Sequence, residues 1–497
     1  YYAQTGDGLL LASEAKALFA AGVPARWDPV AFYDNLCGMV PLPAESTLFA
    51  GVRQLGPGQL LVATAGDVRT ERYWNLDFPA ESLSDSPRTE LTAEELEHLS
   101  HVLSESIRLR LRADVPVGVY LSGGVDSSAL LGFAARHVST PLRVFSIGFE
   151  SATLDEEPAA ARTAHSVGAD YYPLRVTGDL MADSFGDAVF HSEYPHHNAH
   201  GVAKFLLSRH THRHDTKTVL AGEGADELFL GYPWLILDLL QHDVRLDDAS
   251  SYVTRLGPEA ASMVHAARAI SLYAAGHPWM TRIKAALGFL PSLMALNAAY
   301  YLRPEARAMM RRDWRDRLPD SHFAGRLLDS LDIPGQMHGR ARARQAAYVQ
   351  WRTTFPSYNL NVLGDRMEMA HSVEGRVPYL DHHVVTAVNR LPAAALFRGT
   401  TDKYPLREIA RPVIPPEVYT RPKHMFMAPD LDPQSKFGQL VHDTIHGTTL
   451  KNHPLYDRDA VLTAVDKLGS IPLIRSRILC TVVSACILQE RLALSGP

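Results

Sequence analysis

From residue 115 onward, short apolar runs alternate with segments of helical periodicity. The runs are "VPVGVYL", "LRVFSIGF", "YYPLRV" and "KTVLAG", and the helical segments cover 127–137, 156–167, 177–190 and 199–209. Strand–helix alternation predicts a parallel, doubly wound α/β sheet. The near-continuous apolar strands predict burial on both sheet faces. Upstream, residues 1–78 alternate short strands (Leu9–Ala12, Gln59–Thr64) with turn clusters. Residues 79–91, "PAESLSDSPRTEL", are rich in Pro, Ser and acid and read as a linker. Thr92 followed by Glu95 forms a capping box. It opens a helix on which Leu96, Leu99, Leu103 and Ile107 recur at helical spacing. Beyond about 235 the pattern is mostly helical and rich in Ala, Leu and Arg, with no internal repeat. The expected division is therefore 1–78, a linker at 79–91, and one large unit at 92–497.

Composition narrows the function classes. The 497 residues are 46% apolar and 21% charged, ordinary for a chain that buries a large core. Net charge is −6, from 49 basic and 55 acidic residues, which gives no electrostatic footprint for nucleic acid. No apolar run approaches the ~18 residues of a membrane span. Cys37, Cys480 and Cys486 form no CxxC pair, so neither a disulfide framework nor a thiolate zinc site is expected. A reducing, cytoplasmic setting is the expectation. The chain opens Tyr1-Tyr2, and "YYAQTGDGLLLASEAKAL" reads like the middle of a domain. A missing upstream piece is expected on that ground.

The chemistry concentrates in "LSGGVDSS", residues 121–128, between a predicted strand and a predicted helix. In an open parallel sheet, ligands bind beyond the C-terminal strand ends. Gly123 and Gly124 let backbone amides converge, and amides at a helix N-terminus hold anions. Ser122, Ser127 and Ser128 add hydroxyl donors. An acid amid anion donors calls for a divalent cation, so Asp126 reads as a Mg²⁺ ligand beside phosphate oxygens. A Gly-Gly turn with a helix cap is the plain alternative. No GxxxxGK[ST] and no GxGxxG is present.

"LSGGVDSS" resembles the pyrophosphate loop of the ATP-pyrophosphatase superfamily, whose fold is adenine nucleotide alpha-hydrolase-like. "VLAGEGADELFLGY", residues 219–232, resembles the G-[ED]-G-x-D-E-x-F-x-G-Y segment of the glutamine-hydrolysing (class B) asparagine synthetases. "GDRMEMAHSVEGRVPYLDHHVV" (364–385) and "DKYPLREIARPVIPPEVYTRPKHMF" (402–426) are similar to two further blocks of that family. The resemblance implies an ATP-dependent ligase that adenylates a carboxylate, aspartate by default. Pyrophosphate leaves, and ammonia then displaces AMP. It implies nucleotide contacts from Leu121, Ser122, Gly123, Gly124, Asp126, Ser127, Ser128, Ala221 and Gly222, with Ile147 of "VFSIGFE" near adenine. Asp126 and Asp226 would hold Mg²⁺. Glu223 would lie near the acyl-adenylate, orienting the acceptor or taking a proton from ammonia. Lys423 would offset charge at the α-phosphate. Glu374 and Arg376 are either a structural ion pair or part of the acceptor pocket. Met367, Met369 and Val373, at helical spacing, are expected in the core.

Residues 1–78 resemble the end of the family's N-terminal-nucleophile glutaminase domain, through "LLLASEAKAL", "LGPGQLL" and "RYWNLDFP". That half uses an N-terminal cysteine. Residue 1 is Tyr and Cys37 lies in an apolar, helix-like segment, so no residue is assigned to glutamine hydrolysis. The nitrogen source is glutamine through an upstream piece, or free ammonia. One stretch departs from the family: "FHSEYPHHNAHGVAKFLLS", 190–208, carries His196, His197, Asn198 and His200 where an acceptor segment is expected. Clustered histidines of this kind are more often a polar pocket or surface than a metal site. The departure leaves open an acceptor other than aspartate, and with it a natural-product tailoring amidotransferase or amide-forming cyclase. A tRNA-modifying enzyme of the superfamily is a further alternative, disfavoured by charge. A homodimer is one option for the assembly.

Overall fold

A computed structural model describes residues 1–38, 43–80, 88–150, 155–243, 261, 278–301, 307–318, 322–422, 428–429, 434–467 and 472–497. Most of the 79–91 stretch and Lys423 lie outside them.

The N-terminal part begins with two antiparallel hairpins: β1 (Tyr2–Thr5) with β2 (Gly8–Leu11), and β3 (Gln59–Thr64) with β4 (Asp67–Arg72). Helices α1 (Ala15–Ala20) and α2 (Pro29–Gly38) lie between them. Cys37 is in α2. The capping box at Thr92 and Glu95 is formed in both directions and starts α3 (Ala93–Arg110), whose Leu99, Leu103 and Ile107 are buried.

The five-stranded sheet follows: β5 (Val117–Tyr120), β6 (Arg143–Phe149), β7 (Asp170–Val176), β8 (Thr218–Leu220) and β9 (Glu374–Arg376). All neighbours are parallel, in the order β7-β6-β5-β8-β9. The connecting helices are α4 (Val125–Ala135), α5 (Glu157–Ser166), α6 (Gly178–Ser192) and α7 (His200–Arg213), with the one-turn α8 (Ala225–Leu228) after β8. Each predicted helix is found within a few residues of its expected bounds. The chain runs outward from β5 to β7, then crosses back so that β8 pairs with the other side of β5. That reversal makes the β5/β8 junction the switch point, where a crevice opens beyond the strand ends.

Burial is deepest around that junction. Helix α4 is buried along nearly its whole length. A Cβ at Gly132 would overlap the Val413 carbonyl, so the glycine permits the close approach of that backbone. The N-terminal part meets α6 through Glu193, which caps that helix in the left-handed region at φ 55°. Its carboxylate accepts the N–H groups of Ala15 (2.9 Å) and Lys16 (2.7 Å) and pairs with Arg366 at 3.2 Å.

The buried titratable groups set a pH signature. Burial holds His196 and His371 down at about 4, and His200 and His453 at about 3. Burial raises Glu227 and Asp238 to about 8 and Glu368 to about 7. A lowered histidine favours the unfolded chain as pH falls through about 6.5. A raised acid contributes stability below about 4.5 that is lost as pH rises through its folded value. Between about 4.5 and 6.5 these four histidines outnumber the three acids; above that the three acids go on losing stability. The melting temperature in Mg²⁺-free buffer is thus expected to peak near pH 6.5 and decline to pH 9. A melting temperature that keeps rising from pH 6.5 to 9 in a thermal scan would contradict this.

Candidate active site

The loop after β5 is shaped by its glycines and serines. Leu121 ends the strand, its N–H donating to Phe145 O at 2.9 Å. Gly123 has φ +76°, and a Cβ there would stand 2.8 Å from Ala160 N, so only glycine turns the chain at this point. Gly124 caps α4 in an extended conformation. The Ser127 hydroxyl accepts the Ser122 N–H (3.1 Å) and lies 3.2 Å from the Ser122 hydroxyl. Ser128 is fully buried, and its hydroxyl has no partner among the described residues. Hydroxyls and amides at the N-terminus of an 11-residue helix suit an anion with several oxygens.

The loop after β8 presses against this one. Ala221 is fixed by its N–H to Arg376 O at 2.8 Å. A Cβ on Gly222 would sit 3.5 Å from Asp126 Cβ. Gly224, at φ +93°, lets α8 begin under Leu380. Asp226 follows, and its carboxylate turns toward that of Asp126.

Both carboxylates meet one cation, Lys403. Its Nζ lies 2.6 and 2.7 Å from the two oxygens of Asp126 and 2.5 Å from Asp226 Oδ1. Lys403 is 0% exposed and takes a left-handed conformation, φ 49°. A Cβ on Gly231 would overlap Lys403 Cε, so the last glycine of "GEGADELFLGY" makes room for this lysine. The Tyr379 hydroxyl donates to the Asp126 carbonyl at 2.8 Å and holds that turn from the other side. Asp126 and Asp226 thus present hard oxygen donors, from two loops, to a shared point. That is the donor set Mg²⁺ takes together with phosphate oxygens, and the residues fit it.

Lys423 lies outside the described residues, but the chain leading to it is placed. Arg421 donates to the Gly123 carbonyl (3.4 Å) and pairs with Glu156 (3.1 Å). Buried Arg407 organises this return. It bonds Asp402 at 2.6 Å and the carbonyls of Tyr419 (2.6 Å) and Arg421 (3.0 Å). One arginine therefore ties the turn carrying Lys403 to the strand-like segment at Arg421.

The expected acceptor residues fall into two groups. Glu223 lies on the acidic loop, partly exposed, and pairs with Lys204 of α7 at 2.8 Å. Asn198 Oδ1 accepts the Tyr358 hydroxyl (3.3 Å) and the His200 N–H (3.0 Å). His196 and His197 beside it are almost fully buried; His196 Nε2 meets the Ser192 hydroxyl at 2.9 Å. The histidine cluster is thus buried, and burial holds His196, His197 and His200 below the usual imidazole range. Glu374 and Arg376 instead pair with each other at 3.0 Å on edge strand β9. Arg376 also binds the carbonyls of Arg110 and Arg112 beyond α3. Ile147 sits half-buried on β6, opposite Leu174.

Four participants carried no assigned role in the sequence reading: Lys403, Arg407, Gly231 and Tyr379. Each occurs inside a quoted block, which is the signal that singles them out. Met369 is a correction. It is 53% exposed, while Met367 and Val373 are fully buried. Helix Arg366–Met369 is a single turn ending a wide helical stretch, Phe355–Asp365, so spacing of 3.6 residues does not describe its faces.

Comparison with known proteins agrees with this geometry. The model of the asparagine synthase family matches residues 98–491, and that of the glutamine amidotransferase domain matches residues 1–74. The chain is similar to amidase chyE of Penicillium rubens, 28% identical over 94% of this chain and 71% of that protein. It is similar to amidase chry2 of Gibberella zeae, 26% identical over the same shares. It is also similar to asparagine synthetase [glutamine-hydrolyzing] 1 of Bacillus subtilis, 26% identical over 86% of this chain and 63% of that protein. Among the described residues, no helix is long and apolar enough to cross a membrane. With a match spanning 98–491 and a parallel sheet whose switch point gathers both acidic loops, the chain belongs to the asparagine synthase family.

Proposed function

We propose that this chain makes an amide in two steps: a carboxylate attacks the ATP α-phosphate, and ammonia then displaces AMP. The observation that carries the reading is the convergence of Asp126 and Asp226 on one point at the switch point. In the first step a P–O bond forms to the substrate acid and the bond to pyrophosphate breaks. The amides and hydroxyls of residues 122–128 hold the leaving pyrophosphate. Asp126 and Asp226 hold Mg²⁺, which when bound offsets phosphate charge. Lys403 stays among these anions as a fixed cation, and Lys423 is the second, at the α-phosphate. In the second step Glu223 receives the proton that ammonia loses as the C–N bond forms. Glutamine supplies the nitrogen where a glutaminase half is in place.

The acceptor is a carboxylic acid. Aspartate is the default, by likeness to the synthetases. A different acid is favoured by two observations: matches to the two amidases span 94% of the chain, and buried His196 and His197 wall the region of Asn198. Incubation with ATP, Mg²⁺, ammonium chloride and a panel of acids including aspartate decides between them. AMP and pyrophosphate are expected, with one acid amidated. ADP in place of AMP would sink the reading.

A further inference from the structure

Glu223 does not stand alone. Lys204, on α7, reaches its Oε1 at 2.8 Å and lies 5.6 Å from the Tyr120 ring centre. Glu368, 5% exposed, lies on the one-turn helix Arg366–Met369, which packs against α7, and its charge is felt at Lys204. Its carboxylate occupies the space over Gly375, where a Cβ would overlap it. Three charges thus run from the strand-end loop into the core, with one cation between two acids.

We propose that Lys204 and Glu368 are the positioning pair of Glu223. Lys204 holds one oxygen of Glu223, leaving the other for the incoming amine, and Glu368 fixes Lys204 from behind. Lysine on its own is a flexible point charge. Here the Tyr120 ring beside it and a buried counter-ion behind remove that freedom. The inference rests on the amide-forming reading above, in which Glu223 takes the proton.

The charge environment agrees. Four groups face Glu368: Lys204 from α7, Glu223 from the loop, Asp365 from the preceding turn and the Tyr120 phenol from β5. Burial, with Glu223 and Asp365, pushes Glu368 up to about 7, against the lowering pull of Lys204. Lys204 is raised by both acids despite burial. Adenylation transfers no proton from an amine, so the pair serves the second step only.

The test has two arms. In protein labelled with [5-¹³C]glutamate, the Glu368 resonance, assigned through Glu368→Gln, is titrated without substrate. Its midpoint is expected to rise by about one unit in Lys204→Met and to fall in Glu223→Gln. A midpoint unmoved in both variants overturns the proposal. The second arm compares acid-dependent ATP–pyrophosphate exchange with amide formation from ammonium chloride, using the acid that gives AMP with the unaltered protein. Lys204→Met is expected to lose amide formation about tenfold or more while exchange stays within about twofold, and Lys204→Arg to recover part of it. An equal fall in both rates would overturn the positioning role. No AMP from the unaltered protein with any acid would instead overturn the ligase reading, and the titration would still decide whether the charge row exists.

Discussion

Asp126→Ala is expected to lower AMP formation by about a thousandfold, because a cation holding transferring phosphates contributes several kcal/mol and each 1.36 kcal/mol is tenfold in rate. The side chain is aimed at that site. It stands in the first turn of α4, and its two oxygens both face Lys403. The turn itself is held by other contacts: Tyr379 binds the Asp126 backbone carbonyl, which the variant keeps, and Ser122 with Ser127 closes the loop. Lys403 retains Asp226 as a partner. Circular dichroism is therefore expected to be unchanged while turnover is lost. Asp126→Asn keeps the volume and removes the charge, and is expected to fall nearly as far. If either variant releases AMP within tenfold of the unaltered protein, Asp126 is only an ion-pair partner of Lys403 and the magnesium assignment fails.

What made Asp126 legible is local. Two glycines, a carboxylate and hydroxyls sit together between a buried strand and a helix, and each has a role that strand-end geometry explains. Asp226 was legible for the same reason. Lys403 was not, because its meaning depends on where residue 403 returns in space. Asp126 and Lys403 are 277 positions apart. Glycine at 231 had no assigned role, yet it is needed for the lysine that passes over it. Lys204 and Glu368 were hidden in the same way: each lies in a short polar-apolar mixture on a helix, and only packing of α7 against the turn at 366–369 sets them in a row with Glu223. Glu374 and Arg376 stood close enough to suggest either pairing or a pocket. The structure pairs them, since β9 is an edge strand and Arg376 finds the open carbonyls after α3. The parallel, doubly wound sheet followed from alternation of strand and helix, while the one-turn elements at 366–369 and 374–376 are too short for periodicity to reveal.

Lys403→Met is expected to be the most destabilising single change at the site. It leaves the Asp126 and Asp226 carboxylates facing each other without the cation that each touches. Breaking a buried pair from one side costs about 3–5 kcal/mol. The melting temperature should fall by about 3–6 °C in Mg²⁺-free buffer. Mg²⁺ binds the folded carboxylates and not the unfolded chain, so millimolar Mg²⁺ should return part of that loss, and more than it adds to the unaltered protein. Thermal scans of both proteins with and without Mg²⁺ measure the difference. Lys403→Arg should not rescue. The stem passes where a Gly231 Cβ would overlap it, and a planar guanidinium is wider than an ammonium. A Lys403→Met protein that melts like the unaltered one, with no response to Mg²⁺, would mean that the two carboxylates do not share a field. The convergence of the two carboxylates, on which the ligase reading stands, would then fail.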